Sequence, residues 1–82
     1  PLTVQASIVV VGSGSGALTG YDARTGARRW AEDSENGGTV RIIRFGETGA
    51  LTFHWNGGMS LRDARTGRLL WLLQPTREKQ RV

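Results

Sequence analysis

Four groups of residues have the types and spacing to do chemistry. Gly12-Ser13-Gly14-Ser15-Gly16-Ala17 follows the apolar run Ile8 to Val11 and fits the Gly-x-Gly-x-x-Gly/Ala pattern that cradles a dinucleotide pyrophosphate. Glu32 even stands where a ribose-binding acid belongs. Such a loop works only if a helix follows it, so that N-terminal N–H groups meet the phosphates. Here Thr19-Gly20-Tyr21 leads into Asp22-Ala23-Arg24-Thr25-Gly26, a poor helix and a good hairpin, and the chain is too short to add the further βα units of a nucleotide-binding sheet. No cofactor is expected. The same Gly/Ser run also reads as an inserted flexible linker, the mark of an engineered chain.

His54, beside Trp55 and Asn56, is the only histidine, and there is no cysteine. A zinc site or a catalytic triad needs companions that the composition does not supply, so neither a metal site nor a catalytic residue is expected, and His54 is placed at an edge or a loop mouth. Glu32, Asp33 and Glu35 precede Asn36-Gly37-Gly38 and read as a solvated polar loop. Arg28, Arg29, Arg41 and Arg44 interleave with Trp30 and Phe45, a combination that holds phosphates and stacks on bases; they are the candidate polyanion-binding set, and a small basic β-domain binding RNA or DNA is the alternative reading. Against it, the same arginines can pair with Glu32, Asp33, Glu35 and Glu47. The net charge is +4. Arg77, Lys79 and Arg81, opposed only by Glu78, account for part of it in a basic tail expected to be solvated.

The elements that must position these residues are short. Strands are expected near Ser7 to Val11, Ala17 to Asp22, Ala27 to Ala31, Thr39 to Phe45, Ala50 to Trp55, Met59 to Asp63 and Arg68 to Leu73, with turns at Gly12 to Gly16, Asn36 to Gly38, Gly46 to Gly49 and Asn56 to Gly58. No helical period of useful length appears. Ile8 to Val11 and Leu69 to Leu73 are apolar without alternation, which predicts strands covered on both faces. With 82 residues and no disulfide any core is thin, so stability has to come from packing or from partner chains. No apolar run spans a bilayer and no leader-type segment is seen, so a soluble, cytoplasmic setting is the default expectation. Pro1 in first place reads as a processed or excised chain.

One pattern organises the whole. Asp22-Ala-Arg-Thr-Gly26 and Asp63-Ala-Arg-Thr-Gly67 are identical, and each is followed by three residues and a tryptophan, Trp30 or Trp71. All of these positions are 41 apart, the period of a repeated supersecondary unit. Aspartate and threonine oxygens can accept from nearby backbone N–H groups and glycine takes positive φ, so each copy predicts a hairpin corner with the tryptophan on the departing strand.

Ser7 through Trp30 resembles a blade of the quinoprotein-like propellers, whose motif runs Ala-x-Asp-x-x-Thr-Gly-x-x-x-Trp, and the second copy is similar through Asp63, Thr66, Gly67 and Trp71. Gly20 and Leu61 stand where that motif has alanine. Thr39 to Arg68 is also similar to a WD40 blade, with Gly49 before an apolar strand and Leu61-Arg62-Asp63 in the place of an aromatic and its aspartate. The resemblance implies an all-β chain of two propeller-type blades, repeat one at about 1–36, repeat two at about 37–75 and a tail over 76–82. It implies that the corner residues Asp22, Thr25, Gly26, Asp63, Thr66 and Gly67 are structural and that Trp30 and Trp71 pack against neighbouring blades. Two blades do not close a ring, so completion by oligomerisation or within a larger propeller is expected. The functional expectation is a non-catalytic interaction scaffold or ring-forming module, with a protein partner or further copies of the chain.

Overall fold

A computed structural model describes residues 1–33 and 38–74. Glu35, Asn36 and Gly37, the expected boundary near 36, and the basic tail lie outside the described residues. Eight strands form: β1 (Leu2–Gln5), β2 (Ile8–Gly12), β3 (Ala17–Asp22), β4 (Arg28–Asp33), β5 (Thr39–Phe45), β6 (Gly49–His54), β7 (Met59–Asp63) and β8 (Leu69–Leu73). They make two antiparallel four-stranded meanders, β1-β2-β3-β4 and β5-β6-β7-β8. Seven of the strands fall where β-branched and apolar residues between glycine-rich turns predict them. The eighth, β1, carries no such signal, because its hairpin to β2 turns through Ala6 (φ 53°) and Ser7 (φ 64°) rather than through Gly or Asn.

The corners show why the motif is repeated. The Asp22 carboxylate accepts from the N–H of Arg24 (2.8 Å) and Thr25 (3.2 Å), while Thr25 Oγ1 accepts from Ala27 N–H (3.2 Å). Asp63 accepts likewise from Arg65 N–H (2.9 Å), and Thr66 Oγ1 from Arg68 N–H (3.2 Å). Gly26 and Gly67 take φ of 77° and 79°, a conformation that a Cβ disfavours. Immediately before each corner the register slips by one residue, at Gly20/Tyr21 and at Leu61/Arg62. That bulge turns Trp30 and Trp71 onto their sheet faces.

The sheets pack face to face near their first strands, β1 and β2 against β5. The shared core is Ile8, Val10, Leu18 and Trp30 from the first sheet with Ile42, Ala50 and Ala64 from the second. Polar ties hold the seam at its ends. The buried Gln5 Nε2 donates to the carbonyls of Gly46 (2.8 Å) and Gly49 (3.1 Å), and Thr39 N–H donates to Ser13 C=O (3.0 Å).

Coverage differs from expectation for the two apolar strands. In β2 only one face is fully covered, Ile8, Val10 and Gly12 being buried while Val9 and Val11 are half-buried. In β8 every residue is exposed, since among the described residues nothing packs on the far side of the second sheet and on the near side the strand borders an open cleft lined in part by Leu69 and Leu72.

Two L-residues in the left-handed region cost free energy that Asn-Gly would not. The double substitution Ala6→Asn, Ser7→Gly should therefore raise stability by about 1 kcal/mol and the thermal midpoint by several degrees. An unchanged or lower midpoint in a calorimetric scan would show that the β1–β2 turn does not limit stability.

Candidate functional site

Each sequence-level candidate now has a place. Gly12 to Ala17 is the β2–β3 hairpin: Ser13 Oγ accepts from Ala17 N–H (3.1 Å), Ser13 N–H donates to Ala17 C=O (3.0 Å), and the chain continues as strand, without a helix N-terminus for a pyrophosphate. The run is thus a closed turn and not a free linker. The four arginines do not form one surface. Arg28 and Arg29 lie on β4 at the outer edge of the first sheet, and Arg29 pairs with Asp22 at 3.3 Å. Arg41 and Arg44 lie on β5 at the inner edge of the second, on opposite faces, because Arg41 stands across from Phe53 and Arg44 across from Ala50. The sequence put them on adjacent strands; β4 and β5 adjoin in the chain but belong to different sheets.

His54 is the last residue of β6, at the mouth of the β6–β7 turn that its N–H closes on Gly58 C=O (2.9 Å), and its side chain is buried. Its Nε2 lies 3.0 Å from Ser60 Oγ and 3.2 Å from Thr52 Oγ1, and those two hydroxyls also hydrogen-bond to each other. Burial, helped by the Arg62 guanidinium, pushes the His54 pKa below its ordinary value. Arg62 is itself buried and donates through Nη1 to Gly67 C=O at 2.7 Å. With Glu32 and Asp33 of β4 these groups line a cleft between the sheets. Thr52, His54 and Ser60 form a hydrogen-bonded polar cluster within the second sheet, on the side that faces the cleft, with the buried Arg62 beside it. Sequence reasoning missed it because Thr52, His54 and Ser60 are gathered only by the β6–β7 register, which sets Thr52 opposite Ser60.

Trp30 makes the decisive contact. Its indole lies on the Gly20 backbone of its own sheet, crosses the seam, donates from Nε1 to Ala64 C=O at 2.7 Å and covers Gly67 so closely that a Cβ there would stand 2.6 Å from the ring. The outermost strand of one meander is thereby anchored on the corner of the next. The chain folds as two blades of a β-propeller. Its structure is similar to that of BamB from Moraxella catarrhalis, with a TM-score of 0.78, 24% identity, 93% of this chain covered and 23% of that one. These two blades thus span about a quarter of that neighbour's length. No protein-family model and no curated protein sequence matches the chain.

Within the propeller frame the second blade presents a wide open face. Cross-strand neighbours on that side are Ile43, Leu51, Leu61 and Trp71 in one row and Arg41, Phe53, Met59 and Leu73 in the next, with Phe45 at the end. Phe45, Trp71 and Leu73 are 56%, 43% and 46% exposed. A continuous apolar sheet face of this kind marks an interaction surface more often than a solvated one. Trp30 and Trp71 hold matching places in their blades, yet Trp30 is only 8% exposed, because among the described residues only the first blade has a neighbour on its indole side.

Trp30→Ala should cost about 3–5 kcal/mol, a large share of the stability of so small a chain, whereas Trp71→Ala should cost less than about 1 kcal/mol in the isolated chain. Equal losses in urea titration would contradict this asymmetry. The His54 shift also has a sign. A histidine held below its ordinary pKa of 6.5 contributes stability that is present above that value and is lost as pH falls through the folded pKa. The urea midpoint should therefore drop between pH 7.5 and pH 5, and His54→Asn should flatten that slope; a slope unaltered by the substitution would assign it to other groups. Asp22 and Asp63, held down chiefly by the Arg24 N–H and by the Arg65 side chain, act only below their ordinary 3.8.

Proposed function

We propose that this chain is a non-catalytic interaction module of the propeller type, a pair of pre-joined blades whose open sheet faces engage a protein partner or further copies of the chain, forming or completing a ring. The observation that carries the reading is the outer face of the second blade. Its rows of Ile43, Leu51, Leu61, Trp71 and Phe53, Met59, Leu73 are the repeat images of the side of the first blade that already packs on a sheet. Val10 maps to Leu51, Leu18 to Met59 and Trp30 to Trp71. A surface whose counterpart is already a protein seam is suited to the same use.

The corner residues Asp22, Thr25, Gly26, Asp63, Thr66 and Gly67 fit this role as architecture, since the aspartate and threonine oxygens are engaged with backbone N–H groups inside the turns and the glycines take the positive φ. His54 fits it as well. A buried imidazole whose Nε2 is bonded to Ser60 and Thr52 at the end of β6 fits a structural part in the seam better than a reaction centre. The polyanion alternative is weakened by the separation of Arg28 and Arg29 from Arg41 and Arg44 onto different sheets and faces.

Two measurements on one sample test the reading. The wild-type chain should either exceed the monomer mass in light scattering or bind an apolar dye such as anilinonaphthalene sulfonate, and Phe53→Glu with Leu73→Glu should abolish whichever signal is seen while leaving the β-sheet circular dichroism intact. A monomer that binds no dye would mean the face is covered from within and would sink the proposal. A salt-sensitive RNA gel shift removed by Arg41→Glu and Arg44→Glu would transfer the function to polyanion binding.

A further inference from the structure

The two outer faces of this molecule are not alike, and each is the image of one half of the internal seam. The second blade's outer face repeats the Trp30 side of the first. The first blade's outer face repeats the side of the second that receives Trp30. On the latter, Leu2 and Val11 stand across from each other, as do Val4 and Val9, with Tyr21 completing the row. Leu2, Val4 and Tyr21 are 61%, 47% and 36% exposed.

The receiving corner is duplicated with its geometry. Gly26 N–H donates to Asp22 C=O (2.8 Å) as Gly67 N–H does to Asp63 C=O (2.7 Å), and Ala23 N–H is tied to Ser7 C=O (2.9 Å) as Ala64 N–H is to Thr48 C=O (2.8 Å). The two corners differ in what lies on them. Ala64 and Gly67 are buried under the Trp30 indole, whereas Ala23 and Gly26 are exposed and no atom lies within 4 Å of where a Gly26 Cβ would be. One molecule thus carries an unused indole at one end and an empty indole seat at the other.

Resting on the interaction-module reading above, we infer that the occupant is a second copy of this chain, docked head to tail, with Trp71 of one copy lying over the Ala23–Gly26 corner of the next and its Nε1 donating to the Ala23 carbonyl. The contact is heterologous, so copies add head to tail instead of pairing two-fold, and a ring forms where the rotation between successive copies closes.

The departures from strict repetition agree with one another. Gly20 lets Trp30 lie flat on its own sheet, whereas Leu61, paired with Trp71, occupies the matching place. On the receiving side Val9 stands where the internal face has the smaller Ala50, and Val11 where it has the isosteric Thr52. Both faces of the contact between copies thus carry more side-chain bulk than those of the internal one. In the positions of the buried Arg62 and His54 the first blade has Tyr21 and Ser13, so the contact between copies lacks the cation and imidazole of the internal one. Its strength should depend little on salt and little on pH near neutrality.

A complementation experiment decides the matter. Trp71→Ala removes the indole and Ala23→Arg blocks the seat; both positions are exposed, and circular dichroism checks that both variants fold. In multi-angle light scattering the wild type should exceed the monomer mass, each variant should associate at least about thirtyfold more weakly, and an equimolar mixture should give a one-to-one complex and nothing larger, because only one indole and one seat remain intact. Three results would overturn the inference: a wild-type monomer at every concentration, variants that still assemble, or a mixture that stays monomeric. A wild-type monomer that still binds dye on the face bearing Trp71 would reject self-docking while leaving the interaction-module reading in place; loss of both signals would reject the two together.

Discussion

One indole anchors the outer part of the seam between the halves of this protein. Trp30 leaves the outermost strand of the first blade, crosses the seam and gives its only hydrogen-bond donor to Ala64 C=O on the corner of the second blade. Near their first strands the blades are held by apolar packing, but farther out they are separated by a cleft lined with polar groups. Without an anchor on that side the wedge between the sheets has no fixed angle. The tryptophan supplies it with a large apolar surface and one directional bond, a pairing of properties that suits Trp better than Phe or Leu.

Everything local to the corners serves that contact. The aspartate and threonine oxygens close the turn, glycine provides the positive φ, and the bulge just before it re-aims the next strand. The corner is at once the end of one hairpin and the landing site for its neighbour. A bare glycine at position 67 matters for this reason as much as for φ, because a side chain there would push the ring away. The identical corner at Asp22 to Gly26 has the same form with nothing on it, which shows that the turn builds itself from local bonds and does not need the indole to fold.

Polar groups in the seam make the contact between the blades specific rather than merely sticky. Gln5 reaches two carbonyls of the other sheet, and His54, Thr52 and Ser60 form a hydrogen-bonded set beside the buried Arg62. Sliding one sheet past the other would leave Gln5 without its two carbonyl partners, an outcome more costly than the loss of a few apolar contacts, whereas the His54, Thr52 and Ser60 set is bonded within the second sheet. Among the described residues the apolar outer faces have no counterpart of the buried Arg62 and His54.

Much of the architecture was legible in the residues alone. Seven of eight strands, both corners and the 41-residue spacing follow from alternation, glycine-rich turns and side chains that bond their own backbone, all interactions within a few positions of one another. The strand Leu2–Gln5 escaped because Ala6 and Ser7 turn the chain without a turn-forming residue to announce it. Burial was beyond local reading: identical motifs place one tryptophan inside and the other at the surface, His54 at its loop mouth is buried, and four arginines expected on adjacent strands disperse over two sheets. Local bonds determine which strands and turns form. Which face of each strand meets another sheet depends on how the two blades stack, and only the tertiary structure decides that.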